Sequence, residues 1–388
     1  MSKRILFITQ RKLLPMHDGA LLGSVGFLKF LKLLDTEVDC ISFYDTEDYS
    51  VEERSSLSTL CNSLNSVRLI WKSTALNLSF KYPNSIRKYT RNSMRKLIRR
   101  MFAQKSYDIV IIDHLQMAEY IQDAKAPITV LSEHNVESEI WENYSTICNR
   151  LIRPIVKINA RRTQKYESEA LGCFDYVLAT TDRDKDKLLA LNPEANIKVM
   201  HPYSCFDIIK DVNSIKKVNK KILFIGSYGW FPNENAALFL INEVMPIIRT
   251  LIKDVDLYLV GQGPTQGMYN HAKGYEDIII TGRVDSTDEY YLKCDLFINP
   301  IHDGSGVNIK MLEAMGKGIP IVSSRFGLRG FNNTENGFVS VFTDARACAN
   351  IVVDLLNDEN GRLNQSKLAR NAYLKFVEPK DDIKSVFY

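Results

Sequence analysis

The sequence predicts an α/β protein of two doubly wound domains with mainly parallel sheets, and three observations carry that prediction. Short apolar, β-branched runs alternate with helix-patterned stretches along the chain. A lysine-rich polar stretch, KDVNSIKKVNKK at 210–221, interrupts the alternation, which then restarts. The length of 388 residues is too great for one ordinary core and suits two domains of about 150 to 200 residues each. The expected divisions are a first domain at 1–209, a linker at 210–220, a second domain at 221–375 and a tail at 376–388.

In the first half, strands are expected at RILFIT (4–9), VDCISF (38–43), VRLIW (67–71), DIVIID (108–113), ITVLS (128–132), YVLAT (176–180) and IKVM (197–200). Met94, Leu97, Ile98, Met101 and Phe102 follow helical spacing. Around them lies a run from Arg54 to Tyr107 with twelve Lys and Arg and no acid. Arg95, Lys96, Arg99 and Arg100 are therefore expected on a basic face, either merely solvated or turned toward an anionic membrane surface or acceptor. A second acid-free stretch, Asn143 to Tyr166, adds six more basic residues. No nucleic-acid-binding signature accompanies this charge, so no nucleic acid is expected as a partner.

In the second half, strands are expected at KILFIG (221–226), DLYLVG (256–261), DIIITG (277–282), DLFINP (295–300), IPIVSS (319–324) and FVSVF (338–342). Ligands of such sheets bind beyond the carboxyl ends of the strands, so two facing domains imply one cleft.

Composition and motifs exclude several classes. No stretch reaches the roughly 18 apolar residues of a membrane span. ILFIT is too short for a signal peptide's apolar region, so a cytoplasmic protein is expected. The seven cysteines are scattered without C-x-x-C spacing and read as reduced and mostly buried. The dinucleotide fingerprint and the P-loop are absent. DRDKD (182–186) resembles a metal-binding acidic pair, but Thr181 or Asp182 capping a helix explains it better, and no metal is expected.

One stretch carries chemistry. After the strand DLFINP comes the loop IHDGSG, then a helix, VNIKMLEAMGKG, whose GKG supplies the stop. Glycines at 304 and 306 let backbone approach an anion, and free N–H groups at a helix start favour negative charge. Lys310 can neutralise a diphosphate, and the Glu313 carboxylate can accept two hydrogen bonds from a vicinal diol. Together they describe a ribose diphosphate site. The competing reading is a glycine-rich turn with a solvent-facing Lys and Glu.

The run GSGVNIKMLEAMGKGIPIVSS resembles the donor-site signature of family 4 glycosyltransferases, as do FIGSYGWFPNENAALFLINEV (224–244), LVGQGP (259–264) and ITGRVDSTDEYYLKCDLFINP (280–300), in the family's order. In the first half DGALLGSVGFLKFL (18–31) and SEHNVESEIWENYS (132–145) match more loosely. The resemblance implies the GT-B fold and retaining transfer of a sugar from a nucleoside diphosphate sugar to an acceptor hydroxyl, with no cofactor or metal. It implies that Glu313 binds the ribose and that Gly304, Ser305, Gly306, Val307 and Asn308 contact phosphate or sugar. Gly282, Arg283 and Val284 would lie near the base. Gly19, Gly226, Ser227 and Gly261 would approach the donor. His134 would act on the acceptor side, with Glu133 holding its tautomer or binding the acceptor and Asn135 as a weaker candidate. Two departures stand out: Ser305 occupies the position of a second family glutamate, and GSYGWFPN lacks the usual Arg and Lys, leaving Lys310 and Arg283 to supply positive charge. The expected setting is synthesis of an envelope polysaccharide or lipid-linked glycan at the inner membrane face. A nucleotide-sugar epimerase and a non-catalytic scaffold are the alternatives.

Overall fold

The structure is a computed structural model that describes residues 2–16, 19–70, 82–201, 219–302, 308–331, 337–378 and 380–388. The chain forms two compact units, Met1–Cys205 with Pro379–Tyr388, and Phe206–Glu378.

The first unit runs β1 (Arg4–Thr9), α1 (Gly19–Leu33), β2 (Glu37–Tyr44), α2 (Val51–Leu57), β3 (Ser63–Arg68), α3 (Asn84–Tyr89), α4 (Asn92–Gln104) and β4 (Ile109–Asp113). A 3₁₀ segment, Leu115–Asp123, leads to β5 (Ile128–Glu133), α5 (Glu137–Ile147), α6 (Arg153–Leu171), β6 (Tyr176–Ala179), α7 (Asp182–Leu191) and β7 (Ile197–Val199). The sheet is parallel in the order β3-β2-β1-β4-β5-β6-β7, a doubly wound arrangement. Its central strands are buried and mostly apolar because helices cover both faces.

The third strand is not VRLIW (67–71) but Ser63–Arg68. It is an edge strand whose residues are half-buried or exposed, so polar side chains serve it. Its register pairs Asp39 with Ser63, and the Ser63 hydroxyl donates to the Asp39 carboxylate at 2.5 Å. Helix α4 buries Met94, Ile98 and Met101, following the spacing. Thr181 caps α7 by accepting from the Asp184 amide.

The second unit runs β8 (Lys221–Ile225), α8 (Phe231–Phe239), a π turn at Leu240–Val244, α9 (Met245–Leu251), β9 (Asp256–Val260), α10 (Gln266–Ala272), β10 (Ile278–Gly282), α11 (Asp288–Lys293), β11 (Leu296–Asn299), α12 (Ile309–Lys317), β12 (Ile321–Ser324), β13 (Ser340–Phe342), α13 (Ala345–Asn357) and α14 (Glu359–Val377). Its parallel sheet has the order β10-β9-β8-β11-β12-β13. The chain then returns to the first unit through α15 (Asp381–Phe387). There Phe387 stacks edge-on against Phe27 and Phe30, with Ile383 and Val386 buried beside it.

Candidate active site

In the first unit the site grows from strand register. Thr9, the last residue of β1, lies opposite Asp113, the last of β4, and Asp113 lies opposite Ser132 of β5. Asp113 is therefore presented at the carboxyl edge of the sheet, where it is fully buried. It accepts hydrogen bonds from Thr9 Oγ1 (2.7 Å), Ser24 Oγ of α1 (2.6 Å) and His134 Nε2 (2.7 Å). Burial alone would raise the Asp113 carboxyl, but His114, His134 and the hydroxyl of Ser24 hold it well below the usual carboxylate range.

The His134 ring is clamped on two sides. It stacks on the His114 ring at 3.9 Å between centroids. On the other side α1 comes so close that a Cβ on Gly23 would sit 2.9 Å from His134 Cε1 and 3.0 Å from Nδ1. His114 holds a positive φ of 79°, a costly backbone for a residue with a side chain and one that clusters at functional sites. Asp113, His114 and His134 place one ligand atom each within 4.8 Å of one another, close enough to share a metal ion. Asp113 and His114 were not singled out by the sequence. The available signal was an acid ending an apolar parallel strand, in DIVIID.

Glu133 does not hold the His134 tautomer; Asp113 does. The Glu133 side chain is buried, and its Oε1 has no hydrogen-bond partner among the described residues. Burial pushes its carboxyl well up, and the nearby Glu167 and Glu137 add to the effect. Glu167, also buried, serves the start of α5 by accepting from the Glu137 and Ser138 amides. Asn135 follows in the turn before α5.

The basic face of α4 meets acids of the segment that follows it. Arg95 is tied to Glu119 at 3.2 Å and to Asp123, and Arg99 reaches Asp123 at 2.6 Å. These acids lie in the 3₁₀ segment, beyond the acid-free run, so the run's charge is partly neutralised by its neighbour. Lys96, Arg99 and Arg100 are exposed.

In the second unit, glycines bring three strand ends together. Gly261 has φ 137°, and a Cβ there would lie 2.0 Å from the Gly226 carbonyl oxygen. Its amide donates to the Gly282 carbonyl at 3.2 Å. Ser227, next to Gly226, accepts through its carbonyl from Asn233 Nδ2 at 2.8 Å. Asn233 in turn accepts from Lys310 Nζ at 2.6 Å, and that ammonium lies 4.7 Å from the Phe224 ring centroid. Loss of water around Lys310 pulls it down to about 7. Asn233, the last residue of the GSYGWFPN loop, is not singled out by the sequence.

Glu313 lies one turn after Lys310 on α12 and is buried. Its Oε1 accepts from Thr287 Oγ1 at 2.6 Å, while Lys317 of the same face meets Asp288 at 2.7 Å. Burial raises the Glu313 carboxyl, opposed by Thr287 and Lys317. Helix α12 ends at Gly318 with φ 66°, the expected stop. Asn308 stands at the N-cap position of α12, but its side chain, instead of capping the helix, donates to Asn299 Oδ1 at 3.3 Å. Arg283 is exposed and Val284 packs partly against the core. Gly304, Ser305, Gly306 and Val307 lie outside the described residues, as does most of the linker. Gly19 opens α1 in the first unit.

Residues 219–358, within the second unit, match a family described as glycosyl transferases group 1. Over nearly its whole length the chain is 23% identical to an uncharacterized 44.6 kDa protein in the cps region of Klebsiella pneumoniae, covering 96% of this chain and 95% of that one. Its fold is shared by HepE of Anabaena in complex with UDP and glucose (TM-score 0.65, 14% identity, 99% and 97% covered). It is shared too by S. aureus TarM in complex with Fondaparinux, alpha-GlcNAc-glycerol and UDP (TM-score 0.68, 12% identity, 99% and 98% covered). The architecture is GT-B, and the chain resembles the family 4 glycosyltransferases.

Proposed function

We propose that this chain is a retaining glycosyltransferase that moves a sugar from a nucleoside diphosphate sugar to an acceptor hydroxyl during synthesis of a cell-envelope polysaccharide. The observation that carries the reading is the pairing on α12 of a desolvated ammonium, Lys310, with a buried carboxylate, Glu313, one turn apart. A diphosphate would recharge the first and a ribose diol would occupy the second. The group 1 match, the nucleotide in the HepE and TarM complexes and the cps-region relative all support it.

In this reading the bond from the sugar's anomeric carbon to the phosphate oxygen breaks as the bond to the acceptor oxygen forms on the same face. The acceptor's proton passes to the leaving phosphate, and the nucleoside diphosphate departs. The protein contributes orientation and charge. His134, fixed by Asp113, orients the acceptor hydroxyl, and Lys310 stabilises the leaving diphosphate without a metal. Asp113 favours that role for its cluster, because hydroxyl and imidazole donors already engage both of its oxygens.

The test is calorimetric titration of UDP, GDP, ADP, CMP and dTDP in EDTA, with wild type and Glu313→Ala. One nucleoside diphosphate should bind, and the substitution should weaken it about tenfold or more. If none binds at millimolar concentration, or Glu313→Ala binds equally well, the reading fails.

A further inference from the structure

The first unit carries an exposed feature that the transfer reading does not use. The turn before α6 and the helix's first half expose Leu151 (86%), Ile152 (42%), Ile155 (62%) and Ile158 (57%). Ile155 and Ile158 are one turn apart on one face of α6, and Leu151 lies in the turn just before the helix. The opposite face buries Val156, Thr163 and Glu167. Exposed apolar residues scattered singly need no explanation, but a contiguous aliphatic stripe marks an interaction surface. The stripe is presented rigidly, since the Arg153 guanidinium donates to the carbonyls of Thr146 and Cys148 in the preceding turn at 3.1 and 3.3 Å.

Charge identifies the occupant. Arg150, Lys157, Arg161 and Lys165 are exposed around the stripe, within a stretch from Asn143 to Tyr166 that holds no acid. A second copy of the chain, docked by twofold symmetry, would set these cations against their own images. An anionic lipid surface satisfies both halves of the pattern, with aliphatic side chains entering the headgroup boundary and cations meeting phosphates. No helix among the described residues is long and apolar enough to cross a membrane, so the attachment is interfacial.

We propose that Leu151, Ile155 and Ile158 with Lys157 and Arg161 form a docking surface for an anionic membrane, located on α6 rather than on α4. The inference goes beyond the transfer reading and does not depend on it. The full-length protein is floated with vesicles of phosphatidylcholine alone and with 30% phosphatidylglycerol, an illustrative fraction of roughly physiological charge, at low and high salt. Wild type should bind the anionic vesicles and release as salt rises. Leu151→Ser/Ile155→Ser/Ile158→Ser and Lys157→Glu/Arg161→Glu should each lower the bound fraction about tenfold or more, with unchanged melting and unchanged nucleotide titration. Lys96→Glu/Arg100→Glu should bind like wild type. The proposal is overturned if wild type ignores anionic vesicles, if the serine variant binds undiminished, if the α4 variant alone loses binding, or if the stripe instead drives concentration-dependent self-association.

Discussion

Nε2 of His134 lies 2.7 Å from Oδ1 of Asp113, and because that carboxylate is held ionised it accepts, so the proton of this bond sits on Nε2. Asp113→Asn keeps the shape but reverses the polarity of one oxygen. It should destabilise the protein by about 2 kcal/mol and lower transfer about a hundredfold, read by urea denaturation and a donor-consumption assay. A structural role alone would leave the pH profile of transfer in place, whereas loss of the fixed tautomer should move it. Gly23→Ala should reproduce the catalytic loss without that polarity change, since the new Cβ displaces the ring.

Lys310 gives a proton-linked signature. Its value falls from 10.5 to about 7 in the folded chain, so the unfolded chain binds more protons between these values, and its contribution to stability rises with pH across that window. A bound diphosphate restores the charge. Nucleotide binding near pH 8 should therefore take up a proton, visible as a buffer-dependent heat, and affinity should weaken by at most about tenfold per pH unit above 7. Lys310→Met should abolish the uptake.

Glu133 should act in the opposite sense. Its folded value is raised above 4.5 by burial, so the folded chain holds a proton that the unfolded chain gives up. Stability from this source is complete below the unfolded value and is lost as pH rises through the folded one. Glu133→Gln should flatten the decline in melting temperature as pH rises above the ordinary carboxylate range and leave nucleotide affinity intact.

The contact between Gly261 and Gly226 should be intolerant. Gly261→Ala combines a φ of 137° with a Cβ 2.0 Å from a backbone oxygen. A cost of at least about 3 kcal/mol is expected in denaturant unfolding, and a thermal scan that matches wild type would contradict it.

What could be read in advance follows from range in sequence. Lys310, Glu313 and Gly318 share one helix, where spacing alone sets which residues are neighbours, and their placement was legible. The strands were legible wherever both faces are covered, and β3 was misplaced because an edge strand does not need an apolar run. The Asp113–His134 pair spans 21 residues and the Arg95–Asp123 pair 28. Each arises only once strand order brings distant chain ends together. The same holds for Glu133 at the end of β5, whose neighbour Glu167 comes from α6.

The return of α15 to the first unit has a consequence for synthesis. Ile383, Val386 and Phe387 complete a core that also contains Phe27 and Phe30, yet the ribosome makes them only after the whole second unit. At 5–20 residues per second, a stretch of about 180 residues takes on the order of 10 to 35 s. During that interval the nascent first unit carries an open apolar groove, which a chaperone or the next chain on a polysome could occupy before its own last helix arrives.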